Sequence, residues 1–491
     1  MTAPLRPGPA LRIPTPQMTP ALRRFIANEA GSAAVLLAAT LAALVWANSP
    51  WSASYFAFWE TPVRVLVGRE GLDLDLQHVV NDAAMAVFFL VLGLEISREM
   101  TSGELRNRRS IAVPACGAVG GMLLPIGIYL LVNHSGPAAH GWGIVMSSDT
   151  AFVLGILALF GPRCPDQLRL FLLALAVVDD VGAITVMAVF YTGDVRPGWL
   201  LVAALLLSLF PLLRWLGVWR LTPYVVLGIA LWAATFASGL HPTLAGVLVG
   251  LLVPSSSPDT VRTRELYVFG RALVESPSAA RARLTSLAAA ATVSPNERLQ
   301  EWLHPWSAYV VIPAFGLANA GVRLDAATLR HAVESPVTLG IALALVLGNA
   351  VGITAASTLA LRAHLGVLPG RVRYSHLFGG AVLAGVGFTI SLFITDLAFS
   401  DPVLRDDAKI GILGGSLVAA LLGAWVLRVM GERTSLCSPA GETAPSALPP
   451  LPWSAPDLRG HTTGQPGGTL QSPQVQAPVV GDAVDEQGRG G

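Results

Sequence analysis

The chain has 491 residues, of which 53% are hydrophobic and only 13% are charged. Soluble domains carry about 25% charged residues, so this composition excludes an ordinary soluble protein and indicates one that folds in lipid. The net charge of +1 argues against a nucleic-acid partner, which would need a concentrated basic surface. Three cysteines, Cys116, Cys164 and Cys437, form no spaced motif, so we expect no disulfide framework, no cysteine metal site and no cofactor.

Hydropathy predicts twelve membrane-spanning helices, because the chain repeats apolar runs close to the ~20 residues that cross ~30 Å of hydrocarbon. We number them spans 1 to 12 in chain order. The first six cover residues 25–47, 80–96, 111–133, 142–161, 168–192 and 198–218. The last six cover residues 222–237, 240–254, 305–322, 336–361, 375–398 and 407–429. The predicted fold class is therefore an all-α polytopic membrane protein.

The positive charges predict the orientation, because cytoplasmic loops carry an excess of Arg and Lys. Twelve spans place both termini on one side, and most of the arginines in the loops and at the ends of the spans lie on that side. They are Arg6, Arg12, Arg23, Arg24, Arg98, Arg106, Arg108, Arg109, Arg163, Arg169, Arg214, Arg220, Arg362, Arg371 and Arg373. Both termini are therefore predicted to be cytoplasmic.

The remaining segments divide the chain further. Residues 1–23 form a predicted cytoplasmic tail and residues 24–430 the twelve-helix domain. Residues 431–491 are rich in Pro, Gly, Ser and Gln, a composition that cannot bury a core, and they predict a disordered cytoplasmic tail. Residues 255–304, with the basic helical stretch RARLTSLAAAATV, predict a cytoplasmic cap. After span 1, residues 51–80 alternate aromatic or β-branched with polar residues around GREG and predict a small β-hairpin.

Two adjacent carboxylates, Asp179 and Asp180, lie near the middle of span 5 in FLLALAVVDDVGAITVMAVFYT. An intramembrane Asp costs roughly 2.5–3.5 kcal/mol on insertion scales, so it indicates a functional site. Neighbouring side chains diverge by about 100° around a helix, and at least one of these two must face a protein interior or water. The alternative interpretation is a pair of acids that only bond neighbouring helices.

Span 4 is interrupted by polar residues. Ser147, Ser148, Asp149 and Thr150 lie within the otherwise apolar stretch GIVMSSDTAFVLGILALFG, which predicts a broken helix. Unwound backbone at this depth is tolerated where it lines a cavity, although a polar hinge without a ligand is the alternative.

Glycines interrupt span 11 at a corresponding depth. Gly379, Gly380, Gly385 and Gly387 in GGAVLAGVGFTISLF predict a second broken helix that crosses the first. Paired interruptions predict an inverted repeat, here spans 3–5 and 10–12, with the site between them. A second set of glycines, Gly117, Gly121, Gly348 and Gly352, has the small-xxx-small spacing of closely packed helices.

Six segments resemble NhaA-type bacterial Na⁺/H⁺ antiporters, in the family's order and over roughly residues 25 to 430. They are NDAAMAVFFLVLGLEISREM, SSDTAFVLGILALFG, LALAVVDDVGAITVMAVFYT, LHPTLAGVLVG, LHPWSAYVVIPAFGLANAGV and AGVGFTISLF. The resemblance implies that Asp180 is the principal carboxylate for Na⁺ or H⁺, with Asp179 as its partner. Asp149 would lie beside the crossing, with Thr150 as a polar neighbour. It also implies a bacterial inner-membrane location and, with the hairpin, a homodimer.

The resemblance further implies a pH-activation region at the cytoplasmic end. Its candidate residues are Glu95, Arg98, Glu99, Glu301 and His304, together with His241 in span 8. A solvated helix end is an equally good interpretation of each. Asp82 in span 2 either lines a water-filled funnel on the other side of the membrane or is a buried hydrogen-bond partner.

One position departs from the family. Where relatives have a span-10 lysine that pairs with the residue matching Asp179, this chain has Asn349, and its single lysine is Lys409. The family's lysine is tied to electrogenic exchange. An amide can hydrogen-bond a carboxylate but cannot neutralise it, so Asn349 is either a site neighbour or a packing residue. Exchange of one or of two protons per Na⁺ stays open.

The predicted function is secondary transport of Na⁺, and of Li⁺, against H⁺, rather than enzyme catalysis. Na⁺ is a hard cation that prefers oxygen ligands, and protons compete for the same carboxylate oxygens of Asp180 and Asp179. If only loaded carriers change their accessible side, the two fluxes are coupled.

Three other functions are compatible with parts of this pattern. A sodium-coupled solute symporter would share the broken helices. An intramembrane aspartyl protease needs its two acids on different helices, and a channel needs a selectivity filter that is not evident in the sequence.

Overall fold

The computed structural model describes residues 29–67, 70–102, 108–159, 166–192, 195–255, 260–366 and 374–433. The predicted tail at 1–23 lies outside these residues, as does nearly all of the predicted tail at 431–491. Within the described part, every predicted span coincides with helix, which confirms the all-α fold class.

The spans begin and end as follows. The first six are Glu29–Ala47 (span 1), Leu76–Val79 with Val80–Ala84 and Met85–Ser102 (span 2), Arg108–Val132 (span 3), Pro137–Val145 with Thr150–Leu159 (span 4), Asp166–Phe190 (span 5) and Pro197–Trp215 (span 6). The others are Leu221–Ser238 (span 7), Thr243–Leu252 (span 8), Ser307–Val311 with Ile312–Asn319 (span 9), Pro336–Leu343 with Ala344–Gly348 and Asn349–Arg362 (span 10), Tyr374–Leu383 with Thr389–Ala398 (span 11) and Pro402–Arg433 (span 12).

Seven of the described helices are each long and apolar enough to cross a membrane. Span 1 and the following helix Ser52–Trp59, bent by 117°, form an eighth candidate. The other predicted spans are broken or short. Spans 2, 9 and 10 each contain a π-helical turn, at Val80–Ala84, Ser307–Val311 and Ala344–Gly348.

The predicted hairpin is confirmed. Strands Pro62–Val67 and Glu70–Asp75 pair antiparallel, with Pro62 opposite Asp75 and Val67 opposite Glu70. The first part of the alternating stretch is instead the helix Ser52–Trp59. Tyr55 and Trp59, four residues apart, are its buried residues, and the Tyr55 hydroxyl donates to Leu317 O at 2.8 Å, so a helical period fits this segment better than a strand period.

Four further helices of the described part of the chain lie outside the spans, in addition to Ser52–Trp59. Thr260–Glu275 and Ala279–Thr292 occupy the predicted cap, and Pro295–Trp306 leads into span 9. The short helix Ala326–Glu334 joins spans 9 and 10.

A central apolar core passes through most of the spans. Phe89 of span 2 and Phe315 of span 9 both contact Phe393 of span 11, with ring centroids 5.5 and 6.3 Å apart. A second cluster lies between spans 3 to 5 and 10 to 12, and includes Phe171 and Leu377. The polar residues of spans 4, 5 and 11 lie among these apolar clusters.

Glycines bring two helix pairs into backbone contact. A Cβ added to Gly120 of span 3 would lie 2.4 Å from Gly352 O of span 10, and one added to Gly246 of span 8 would lie 2.2 Å from Ala86 O of span 2. The predicted packing role is confirmed at Gly121, where an added Cβ would lie 2.7 Å from Ile353. Spans 3 and 10 therefore tolerate no side chain where they cross.

Two glycines of span 3 provide a matched test. Gly120→Ala should destabilise the protein, because overpacking costs about 1–3 kcal/mol. Gly127→Ala, where an added Cβ meets nothing within 4 Å, should stabilise it by up to about 1 kcal/mol through helix propensity. The thermal midpoint of the detergent-purified protein measures both. Equal midpoints for the two variants would contradict the close contact.

Candidate functional site

Spans 4 and 11 are both broken, and their unwound segments cross. Residues 146–149 separate the two halves of span 4, and residues 384–388 separate those of span 11. Asp149 N donates to Val386 O at 2.7 Å, and Ser391 Oγ donates to Ile144 O at 2.6 Å. The predicted crossing is therefore present. Gly379 and Gly380 lie within the first half-helix of span 11, so the break is confined to the later glycines, Gly385 and Gly387.

Asp149 is the residue that joins the two broken helices. It directly precedes the half-helix Thr150–Leu159, and its Oδ1 accepts from Phe152 N at 3.2 Å. Its Oδ2 accepts from Thr389 N at 3.0 Å and from the Thr389 hydroxyl, at the start of the half-helix Thr389–Ala398. One carboxylate thus lies at the positive ends of two helix dipoles.

Asp179 and Asp180 lie side by side on the unbroken span 5 and are 2% and 5% exposed. Asp179 Oδ2 accepts from Ser148 N at 2.7 Å, while Asp180 Oδ1 accepts from Ser147 Oγ at 3.4 Å. The unwound segment of span 4 therefore contacts both carboxylates. Because neighbouring side chains diverge around a helix, Asp179 and Asp180 contact different groups of that segment.

A cavity of about 230 Å³ lies beside the crossing. Its polar lining includes Asp180, Asp149, Ser148, Thr150, Glu95 and His304. Asp179 does not line it. The Ser148 hydroxyl is buried next to Asp179, and its oxygen has lone pairs available to a cation. Carboxylate and hydroxyl oxygens suit a hard cation such as Na⁺.

Sequence reasoning did not single out Thr389, although it lies within the quoted AGVGFTISLF. Both its backbone N–H and its hydroxyl bond Asp149 across the crossing. The signal was available, because a hydroxyl residue directly after the interruption of span 11 occupies the start of a helix, where it can bond a carboxylate from the other broken span.

Asn349 lies in span 10 and is only 1% exposed. Its Nδ2 donates to Leu345 O at 3.3 Å, one turn earlier in its own helix, and its Oδ1 faces Gly121 of span 3. Within the described residues, no hydrogen bond joins it to Asp179, which instead accepts from Ser148 N. Its contacts are those of a packing residue.

The candidate pH residues divide into two groups. Glu95 and His304 line the cavity, Arg98 Nη2 lies 3.8 Å from Glu99 Oε1 nearby on the same helix, and Glu301 is exposed on the helix that leads into span 9. His241 is elsewhere, with Nε2 2.7 Å from Tyr191 O just beyond the end of span 5. Asp82 is half-buried, and its backbone carbonyl accepts from Trp232 Nε1 at 3.1 Å.

A family model described as Na⁺/H⁺ antiporter 1 matches residues 23–427. The chain belongs to this Na⁺/H⁺ antiporter family. It is 60% identical over 456 residues to the Na⁺/H⁺ antiporter NhaA 3 of Frankia alni, covering 93% of this chain and 98% of that protein. It is also 43% identical to NhaA 1 of Mycobacterium sp. (strain KMS), covering 90% and 71%, and 43% identical to NhaA of Oleidesulfovibrio alaskensis, covering 86% and 97%.

Membership of this family establishes what the chain does. It is a secondary transporter that exchanges Na⁺ for H⁺, not an enzyme, and a multi-pass bacterial membrane protein. The symporter and protease alternatives gain no support from these relatives. The two adjacent acids also lie on one helix, which is not the arrangement of a proteolytic pair.

Substitution of Asp149 tests its role at the crossing. Asp149→Ala leaves the Thr389 and Phe152 amides without their acceptor, at roughly 1–3 kcal/mol for each buried donor. We expect a lower thermal midpoint and an apparent KM for Na⁺ raised about tenfold, equivalent to about 1.4 kcal/mol, with residual exchange. Proteoliposome exchange and thermal unfolding measure the two effects.

Thr389 gives a control pair for the same contact. Thr389→Ser keeps the hydroxyl that bonds Asp149 and should resemble the wild type, whereas Thr389→Val should shift stability and KM in the direction of Asp149→Ala. Complete loss of exchange in Asp149→Ala at saturating Na⁺ would show instead that this carboxylate carries the proton.

Proposed function

We propose that Asp180 is the carboxylate on which Na⁺ and H⁺ compete. The supporting observation is that Asp180 lines the cavity beside the crossing, whereas Asp179 does not. A carboxylate that faces the cavity can exchange a proton for a cation that enters through it. Asp179, held by Ser148 N at 2.7 Å, supports the position of the unwound segment.

The cation ligands that we propose are the Asp180 carboxylate, an oxygen of the neutral Asp179 carboxyl group and the Ser148 hydroxyl. Asp149 and Thr150 line the same cavity, with Asp149 engaged mainly by the two half-helices. Li⁺ is also a hard cation, so the same oxygen set accepts it. Sodium and lithium are substrates here and not resident metals.

Exchange follows from competition at one site. A cation that binds Asp180 requires its ionised form, so Na⁺ binding releases a proton, and a proton that returns expels Na⁺. Transport in opposite directions is then obligatory if the carrier changes its accessible side only when it is loaded. Discontinuous helices at the site are the usual structural basis of such switching.

We propose that Glu95 and His304 contribute to pH activation, because both line the cavity that leads to Asp180. Arg98, Glu99 and Glu301 form the charged surroundings of that end, with Arg98 3.8 Å from Glu99. His241 lies at the other end of span 5, so its contribution would be separate from theirs.

We further propose an inner-membrane protein with both termini in the cytoplasm. The excess of arginine in the loops on that side supports this orientation. A homodimer is proposed from the family resemblance and the hairpin Pro62–Asp75, whose two strands pair with each other and leave outer edges for a second copy.

The ratio of ions is proposed to be one H⁺ for one Na⁺. Within the described residues, Asp179 forms no ion pair, and the position of the family's lysine is held by a neutral amide. A second buried charge without a compensating cation is costly in a low-dielectric interior. Asp179 therefore keeps its proton through the cycle, and Asp180 alone exchanges.

Asp180→Asn should abolish exchange and leave the protein folded, because the amide keeps the volume but neither titrates nor carries charge. Asp179→Asn should be severely impaired. Asp325→Asn is a matched control, since Asp325 caps the surface helix Ala326–Glu334 and Asn caps a helix equally well. The ΔpH dissipated in everted vesicles after addition of Na⁺ or Li⁺ measures all three. Exchange at the wild-type rate in Asp180→Asn, at matched expression, would refute the assignment.

The one-for-one ratio has an electrical test. Net charge moved in each cycle would couple to a membrane potential by about 2.3 kcal/mol per 100 mV. We expect that a K⁺-valinomycin potential leaves ²²Na⁺ uptake into wild-type proteoliposomes unchanged. If the potential drives uptake, more than one proton moves for each Na⁺, and Asp179 also cycles.

A further inference from the structure

The segment between spans 8 and 9 folds into two paired helices, Thr260–Glu275 and Ala279–Thr292, which we call the cap hairpin. Arg281 Nη1 donates to Ala272 O and to Ser276 O, both at 3.0 Å, and so caps the end of the first helix. The Thr285 hydroxyl donates to Phe269 O at 3.1 Å. These contacts fix the two helices against each other, and neither contributes to the transport site.

The first helix of the cap hairpin has an exposed apolar face. Tyr267, Val268 and Val274 are 69%, 56% and 82% exposed. At about 100° per residue they share one face, roughly 120° wide, with Arg264 and Arg271. We call these five residues the cap patch. A helix that exposes large apolar side chains together with arginines has the composition of an interfacial helix.

The charge of the cap hairpin is positive. Residues 260–292 contain five arginines and two glutamates. One glutamate, Glu275, accepts from Arg271 Nε at 2.8 Å. Arg264 and Arg283 are exposed, and neither forms an ion pair within the described part of the chain. Among the residues that the structure describes, the hairpin therefore keeps one guanidinium group without an ion pair, that of Arg264, on the face of the exposed apolar side chains, and a second, that of Arg283, on its other helix.

The base of the cap hairpin is followed in the chain by two exposed tryptophans. Asn296 N donates to Pro254 O at 3.2 Å, which joins the two ends of the inserted segment. Trp302 and Trp306, 61% and 58% exposed, follow on the next helix. Exposed tryptophans of this kind mark the membrane–water interface. Trp302 is eight residues from Ser294, or about 12 Å of helix, so the hairpin begins at the level of the lipid headgroups.

We propose that the cap patch docks on the anionic headgroups of the membrane that holds the transporter. Arginines near such a surface are attracted to anionic lipid, and Tyr267, Val268 and Val274 can enter the boundary between headgroups and acyl chains. Anionic lipid is the favoured occupant because the membrane lies at the base of the hairpin and its negative charge complements the arginines. The acidic residues of 434–491 and a second copy of the chain are the competing occupants.

The test places one fluorophore on the cap patch. In a full-length protein with Cys116, Cys164 and Cys437 changed to Ser, Val274→Cys carries an environment-sensitive label in nanodiscs. We expect that brominated lipid quenches the label at least twofold more when phosphatidylglycerol is present than in phosphatidylcholine alone. Arg264→Gln with Arg283→Gln should remove the difference. The matched pair Arg264→Lys with Arg283→Lys keeps the charge and should retain it.

Three results would overturn the proposal. Equal quenching in both lipid mixtures would show that anionic headgroups do not hold the patch. Quenching that appears only in a chain truncated after residue 433 would identify the C-terminal segment as the occupant. A signal that depends on two copies in each nanodisc would identify a partner subunit.

Discussion

The carboxylate of Asp149 is the contact on which the rest of the site depends. Two helices stop in the middle of the protein, and each presents the unpaired N–H groups of a helix start to a region without bulk water. Asp149 accepts from Phe152 N in one of them and from Thr389 N in the other. A single carboxyl group thus satisfies donors of both half-helices and lies at the positive end of both helix dipoles. Broken backbone is tolerated at this depth because that one residue serves both halves.

The unwound segment of span 4 and the two acids of span 5 together form the site. Because span 4 is unwound over residues 146–149, its backbone and hydroxyl groups are free to contact span 5 rather than to continue a helix. Ser148 N meets Asp179, and the Ser147 hydroxyl meets Asp180. An unbroken helix could not offer both. Asp179 and Asp180 are neighbours in sequence but therefore have different hydrogen-bond partners. Only Asp180 lines the cavity.

Much of this arrangement could be predicted from the sequence. Hydropathy located the spans, and polar residues or glycines within apolar runs located the two breaks. What failed depends on contacts between distant segments. The bond between Asp149 and Thr389 joins residues 240 positions apart, and no local pattern records it. The sequence also offered Asn349 as a partner of Asp179, but its amide bonds Leu345 O in its own helix, and Asp179 accepts from Ser148 N. The helix Ser52–Trp59 was hidden because its aromatic residues also suit a strand.

The π-helical turns of spans 2, 9 and 10 each separate the α-helix before the turn from the α-helix after it, and the two helices have different registers. Such a turn accommodates one residue more than an α-helical turn, so the side chains after it are rotated by about 100° relative to an uninterrupted helix. If the wide turn moves along the chain by one residue, the residue it passes swings to a new face while the ends of the helix stay in place. Span 10 carries this turn at Ala344–Gly348, immediately before Asn349. A shift of the π-helical turn in any of these three spans would therefore reorient individual side chains without moving the whole helix through the membrane.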